Sequence, residues 1–196
     1  MTGKWVSSCH RTMSRPASAT DYCDIRQLGC AADEALAMFN LAIDSKLRAC
    51  DFTRLRVQDV CHGSQVATRA TVLQQKTQRP VQFEITAPTR ESLEAWLKAR
   101  RLRRPSFVPS RLHSSPHLST RQYSRIVHRW VASIGLDDTA YGTHTMRRTK
   151  VSLIYRRIKN LRAVQLLLGH TKLESTVRYL GIEVDDALEM AEQTDV

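Results

Sequence analysis

The chain has 196 residues, 42% of them hydrophobic, and 30 Lys and Arg against 19 Asp and Glu give a net charge of +11. That length suits one domain with its own core and argues against two full domains or, without an apolar run near ~18 residues or a signal-peptide core in the first eight, a membrane protein. Five scattered cysteines (Cys9, Cys23, Cys30, Cys50, Cys61), with no Cys-x-x-Cys pair, argue against a disulfide frame or zinc knuckle and fit reduced thiols in the cytosol.

Charge is unevenly spread along the chain. From Glu183 to the end there are six acids and no base, so residues 1–182 carry 30 − 13 = +17. Between Glu94 and Asp137 there is no acid, while Lys98, Arg100, Arg101, Arg103, Arg104, Arg111, Arg121, Arg125 and Arg129 are basic. Such a surface fits a polyanion, nucleic acid being the usual one, with Arg101, Arg103, Arg104, Arg121 and Arg125 as candidate contacts.

In chain order, residues 1–30 are rich in Ser, Thr, Arg and Cys without periodicity and read as a loosely docked basic arm. From Ala31 the segment ADEALAMFNLAIDSKLR predicts a helix with Asp33 and Glu34 near its start, and a second helix is expected from about Arg48, carrying Phe52 and Leu55 inward. Gln65–Val72 and Pro80–Thr86 alternate and are rich in β-branched residues, which predicts an antiparallel hairpin with Lys76 in its connection. Thr89 is expected to cap a helix over Arg90–Arg101. Ser119 or Thr120 opens the clearest helix: Tyr123, Ile126, Val127, Trp130, Val131 and Ile134 form one face, Arg121, Arg125 and Arg129 the other, and Gly135 ends it.

The last third is the most informative. His144 and Arg147 stand three apart on a helix expected from Thr145, whose first turn offers unpaired N–H groups to an anion. Asn160 can cap a helix over Leu161–Leu168 that Gly169 stops, which displays His170 just past a helix end. Nine residues later Tyr179 lies on a short amphipathic segment with Leu173, Val177 and Leu180 on its buried side. Glu183–Gln193 reads as an acidic helix.

His-x-x-Arg, then Leu-Gly-His, then a tyrosine nine residues on resembles the catalytic end of the tyrosine recombinases, or phage integrases. The resemblance implies an arginine in an early helix and a lysine in a hairpin, which Arg48 and Lys76 match, with Asp51 where the arginine box usually has glutamate. It covers roughly residues 31–182 and implies a mainly α fold with a small antiparallel hairpin, leaving 183–196 as an acidic tail that docks on a neighbouring protomer. About 30 residues ahead of it are too few for the N-terminal helical domain of most members, so the chain resembles the short members that invert fimbrial promoter segments. The implied activity is site-specific DNA recombination through a covalent 3′-phosphotyrosine, with no cofactor, metal or ATP. Tyr179 would be the nucleophile, Arg48 and Arg147 the clamp on the phosphate oxygens, His170 a further hydrogen bond, Lys76 the acid and His144 the base. The implied setting is cytoplasmic and nucleoid-associated, as a homotetramer on paired sites, with accessory DNA-binding proteins. A DNA-binding regulator that does not cut and a type IB-like topoisomerase are the competing readings. Taken singly, Arg48 is a surface charge pairing with Asp51, Lys76 a solvated turn, and each histidine a helix-end or core residue. Tyr155, in the stripe with Val151 and Ile158, reads as core.

Overall fold

The structure, a computed structural model, describes residues 32–63, 65–100, 107, 115–182, 188 and 192. The basic arm, Arg101, Arg103, Arg104 and nearly all of the acidic tail lie outside the described residues.

Helix α1 (Ala32–Ser45) carries Asp33 and Glu34 in its first turn, where they meet unpaired N–H groups. It buries Ala35, Met38, Leu41 and Ala42 and packs on both α4 (Ala87–Arg100) and α6 (Thr143–Ile158). The helix expected after Arg48 is a single turn, α2 (Ala49–Phe52), because Thr53 and Arg54 turn away; Phe52 and Leu55 are nonetheless buried, as expected. A second single turn, α3 (Val57–Val60), leads into the strands.

The hairpin is shorter on its first side than the alternation predicted. Gln65–Val66 (β2) pairs with Cys61–His62 (β1), and only Arg69–Leu73 (β3) pairs with Pro80–Glu84 (β4), Ala70 opposite Phe83 and Val72 opposite Val81. Alternation continues across both strands, so it does not mark where one partner replaces another. Helix α4 begins at Ala87 rather than Arg90, which places Thr89 inside its first turn with its hydroxyl donating to Asp44 Oδ2 at 2.6 Å.

Helix α5 (Thr120–Ser133) is capped by Ser119, which accepts from Gln122 N, and buries Tyr123, Val127, Trp130 and Val131. Phe39, Phe52 and Phe107 pack their rings on this region, joining α1, α2 and α5 in the larger of two cores. The smaller core, Val151, Tyr155, Val164, Leu168 and Leu180, fastens α6 to α7 (Leu161–Leu168) and α8 (Leu173–Leu180). Tyr155 is core, as expected; Leu173, expected on the buried side, is 42% exposed.

A charge cluster ties the two halves together. Lys46, in the left-handed region at φ 54, is almost fully buried and donates to Asp44 O at 2.6 Å and to both Glu84 oxygens at 3.0 and 2.9 Å. Lys150 of α6 pairs with Asp44 and Glu84 as well. Burial works against the Lys150 charge, but hydrogen bonds to Asp44 and Glu84 prevail and raise its pKa. The loop leading to Arg48 and the helix bearing Arg147 are thereby held on one pair of carboxylates.

Candidate active site

The site is built on the C-terminal end of α7. Asn160 Oδ1 accepts from Ala163 N at 2.9 Å to start that helix, and Gly169 at φ +64 ends it, both as the sequence predicts. A Cβ added at Gly169 would lie 2.4 Å from Val81 Cγ2, so only glycine lets the β3–β4 hairpin approach this turn so closely. The Leu168 carbonyl, without an intrahelical partner at the helix end, accepts from Arg147 Nη2 at 2.8 Å and from Gln74 Nε2 at 3.2 Å.

Helix α6 starts at Thr143, two residues ahead of the expected Thr145, so Arg147 opens its second turn, where it is 2% exposed. One N–H is held by Leu168, while its Nε and Nη1 make no hydrogen bond within the protein. Burial lowers its pKa and the nearby Arg48 lowers it further, against the pull of Tyr179 and Asp51. A buried guanidinium with free N–H donors is a strong receptor for an anionic oxygen pair.

Arg48 reaches in from the N-cap of α2. Its Nη1 donates to Gln74 Oε1 at 2.6 Å and lies 4.0 Å from Asp51 Oδ2, whose other oxygen accepts from Gln75 N at 3.0 Å. The i,i+3 pair with Asp51 is therefore present, but as part of a tie between α2 and the hairpin turn. Lys76 stands exposed on that turn, and among the described residues it makes no ion pair or hydrogen bond with the other members of the set.

His170 Nδ1 is 3.1 Å from the buried Thr176 Oγ1, and its ring meets Tyr179 edge-on, centroids 5.4 Å apart. Burial, then Arg147 and Arg48, push its pKa down to about 4, so the ring is neutral at pH 7. The half-buried Tyr179 ring lies 5.8 Å from Arg147 Cζ and 5.6 Å from Arg148 Cζ, and its buried hydroxyl interacts with Arg147 without a well-aligned hydrogen bond. Burial raises the Tyr179 pKa; Arg147, Arg148 and Arg48 oppose it without overcoming it. His144 is exposed and lines an open cleft of about 380 Å³ together with Arg148, Ser175, Arg178 and Tyr179.

The fold thus gathers Arg48, Arg147, His170 and Tyr179 around the α7 end; His144 lines the cleft beside Tyr179, and Lys76 is exposed on the hairpin turn, not brought into contact with the set. Arg121 and Arg125 are exposed on α5 beside Arg129. Sequence reasoning missed Gln74, fully buried at the centre of the arrangement, and Arg148 beside the tyrosine. The Arg-Arg doublet was a usable signal for Arg148; a glutamine in a polar turn offered none for Gln74.

A mainly helical unit with two small antiparallel strand pairs, holding two arginines and a histidine against a tyrosine, has the architecture of a tyrosine recombinase catalytic domain. Residues 18–184 match the phage integrase family, and the chain belongs to that family. It is 29% identical over 148 residues to the "Probable integrase/recombinase YoeC" of Bacillus subtilis, covering 76% of this chain and 77% of that protein. It is 27% identical over 149 residues to the "Tyrosine recombinase XerC" of Neisseria gonorrhoeae, covering 76% of this chain and 47% of the relative. The chain therefore spans about half the length of that relative. Among solved structures, XerH site-specific recombinase bound to difH substrate in a pre-cleavage complex superimposes with a TM-score of 0.68 at 19% identity, over 88% of this chain and 51% of the other. Among the described residues, no helix is long and apolar enough to cross a membrane.

Proposed function

We propose that this protein is a site-specific DNA recombinase that cuts and rejoins strands through a 3′-phosphotyrosine. The observation that carries the reading is a buried Arg147 with Nε and Nη1 donors left over from its bond to Leu168, set beside the Tyr179 phenol, whose charged form it favours, and a second arginine. In the proposed reaction the Tyr179 oxygen attacks the scissile phosphorus and its proton passes to His144. The P–O5′ bond breaks, and the departing 5′ oxygen takes a proton from Lys76. Arg48 and Arg147 hold the non-bridging oxygens while charge shifts across the phosphoryl group, and neutral His170 adds a donor. A 5′-OH of another strand reverses the step, so the phosphodiester energy is kept in the covalent link and neither ATP nor a metal enters the balance.

Residues 31–182 would form the catalytic unit, double-stranded DNA the partner, and Arg101, Arg103, Arg104, Arg121 and Arg125 part of its binding surface. Family membership and the likeness to a DNA-bound recombinase support this reading. Assembly as a homotetramer on paired sites, with the tail from 183 docking in trans and accessory DNA-binding proteins at need, completes the proposal, as does a bacterial nucleoid setting.

The test is covalent capture. A library of nicked suicide duplexes with randomised core sequence, from which the 5′ fragment diffuses away, is incubated with the native protein and with Tyr179→Phe, and denaturant-resistant protein–DNA bands are sought. The phenylalanine keeps the ring's packing and removes only the attacking oxygen, so DNA binding persists and the band disappears. A band from Tyr179→Phe sinks the nucleophile assignment; no band from the native protein on any member leaves the non-cutting regulator in its place.

A further inference from the structure

Gln74 is the last residue before the hairpin turn, and its side chain is fully buried. Its Oε1 accepts from Arg48 Nη1 at 2.6 Å and from Thr77 Oγ1 at 2.9 Å, and its Nε2 donates to the Leu168 carbonyl at 3.2 Å. That same carbonyl accepts from Arg147 Nη2 at 2.8 Å. The four groups form one chain, Arg48 to Gln74 to Leu168 to Arg147, which crosses from α2 through the hairpin to the end of α7 and on to α6.

We infer that Gln74 is a positioning residue for strand cleavage, fixing the Arg48 guanidinium in register with Arg147 by bridging it to the Leu168 carbonyl. The inference rests on the proposed reading of the two arginines as the phosphate clamp. A carboxamide is suited to the task because it supplies an acceptor toward Arg48 and a donor toward Leu168 from one planar group. Glutamate of the same length lacks the donor and cancels the charge that Arg48 brings to the phosphate; methionine has neither function. The fit is tight: a Cβ on Gly169 would stand 3.0 Å from Gln74 Oε1 and 3.3 Å from its Cδ. Being fully buried, Gln74 does not present itself to a DNA strand and acts through Arg48.

The experiment measures single-turnover cleavage at saturating DNA, with a nicked suicide duplex selected by the native protein, and the dissociation constant separately. Gln74→Met is expected to melt cooperatively and to bind the duplex within about twofold of native, while the saturated cleavage rate falls roughly 10²-fold, the scale on which small misplacements act. In an Arg48→Ala background the same change should add less than about twofold, because the group it positions is gone. A duplex with a bridging 5′-phosphorothiolate, whose sulfur leaves without a proton, should restore Lys76→Ala and leave Gln74→Met slow. Should Gln74→Met fail to melt cooperatively, Gln74→Glu, of equal shape, is read in its place, with the same rate loss expected. The inference is overturned if only affinity changes, if the loss adds in full to Arg48→Ala, or if the sulfur substrate rescues the Gln74 variant. A native protein that forms no adduct sinks the parent reading instead, so the two failures are distinguishable.

Discussion

Gly169→Ala isolates how much the seating of the hairpin on α7 contributes. The substitution has two costs. At φ +64 any L-residue loses about 1–2 kcal/mol in the left-handed region. The new Cβ also lies 2.4 Å from Val81 Cγ2, a stiff β-branched side chain at the second position of β4, so the strand must retreat by about 1 Å to reach ordinary contact. Overpacking of that kind costs about 1–3 kcal/mol, for a total of roughly 2–5 kcal/mol. The retreat carries Gln74 away from Leu168, where the hydrogen bond is already 3.2 Å. Cleavage should therefore fall about 10²-fold beyond any loss of folded protein. The control is Gly135→Ala, at φ +72 with nothing within 4 Å of the added carbon, which bears only the backbone term of about 1–2 kcal/mol. Urea unfolding of both variants gives the difference, and single-turnover covalent capture gives the rate. If Gly169→Ala is no less stable than Gly135→Ala and cleaves as fast, the hairpin is not seated on the helix end and the account of the site fails.

His170 should titrate near 4 in the free protein, since burial, Arg147 and Arg48 all oppose its charge; ring-proton NMR showing a midpoint near the ordinary 6.5 would refute this. The sign follows: between about 6.5 and 4 the unfolded chain takes up a proton that the folded chain refuses, so this group removes stability as pH falls through that window. Lys46→Met should cost roughly 2–4 kcal/mol, less than a wholly buried pair because the Glu84 side chain is 38% exposed. Burial raises the pKa of Asp44 and Glu84, yet hydrogen bonds, those from Lys150 foremost, hold both below the usual carboxylate range. The stability they contribute is present above about 4 and lost as pH falls through their lowered values, so the gap between native and Lys46→Met in urea melts should narrow there; a constant gap refutes the pairing. DNA affinity should fall with salt at a log–log slope of about −0.9 per phosphate contacted, and Arg121→Gln with Arg125→Gln should make it shallower by about 2. An unchanged slope removes α5 from the DNA surface.

What was legible in the sequence was whatever local chemistry determines. Ser119, Asn160 and Gly169 announce helix ends because capping is satisfied within three or four residues, and α5 and α7 fall within a residue of the predicted bounds. The ordered motifs also singled out Arg147, His170 and Tyr179, and the family resemblance added Arg48; the fold brings the four together. Long-range matters were hidden. Gln74 looks like a solvated turn residue until Leu168, 94 positions away, is placed against it. Lys46 sits in a loop at a positive φ that non-glycine residues rarely adopt, held by Glu84 of β4, 38 positions away. Helical patterning would put Arg147 in water; its burial follows from packing between α6 and α7, and no period in the sequence encodes that.

The electrostatics constrain the order of events in the proposed cleavage. Free Tyr179 is pushed toward its neutral form by burial and pulled back by three arginines. A seated phosphodiester brings a negative charge that cancels part of that pull, so the phenol proton is hardest to remove once DNA is bound. A free phenolate is therefore an unfavourable intermediate, and proton loss to His144 is best coupled to formation of the O–P bond, when the phosphoryl charge spreads onto oxygens held by Arg48 and Arg147. His170 is neutral in the free protein because burial, Arg147 and Arg48 oppose its charge; a seated phosphodiester offsets part of that opposition, and the ring offers the phosphate an N–H donor in either form. The bridge that sets Arg48 against Arg147 concentrates positive charge where the phosphoryl charge grows as the new bond forms.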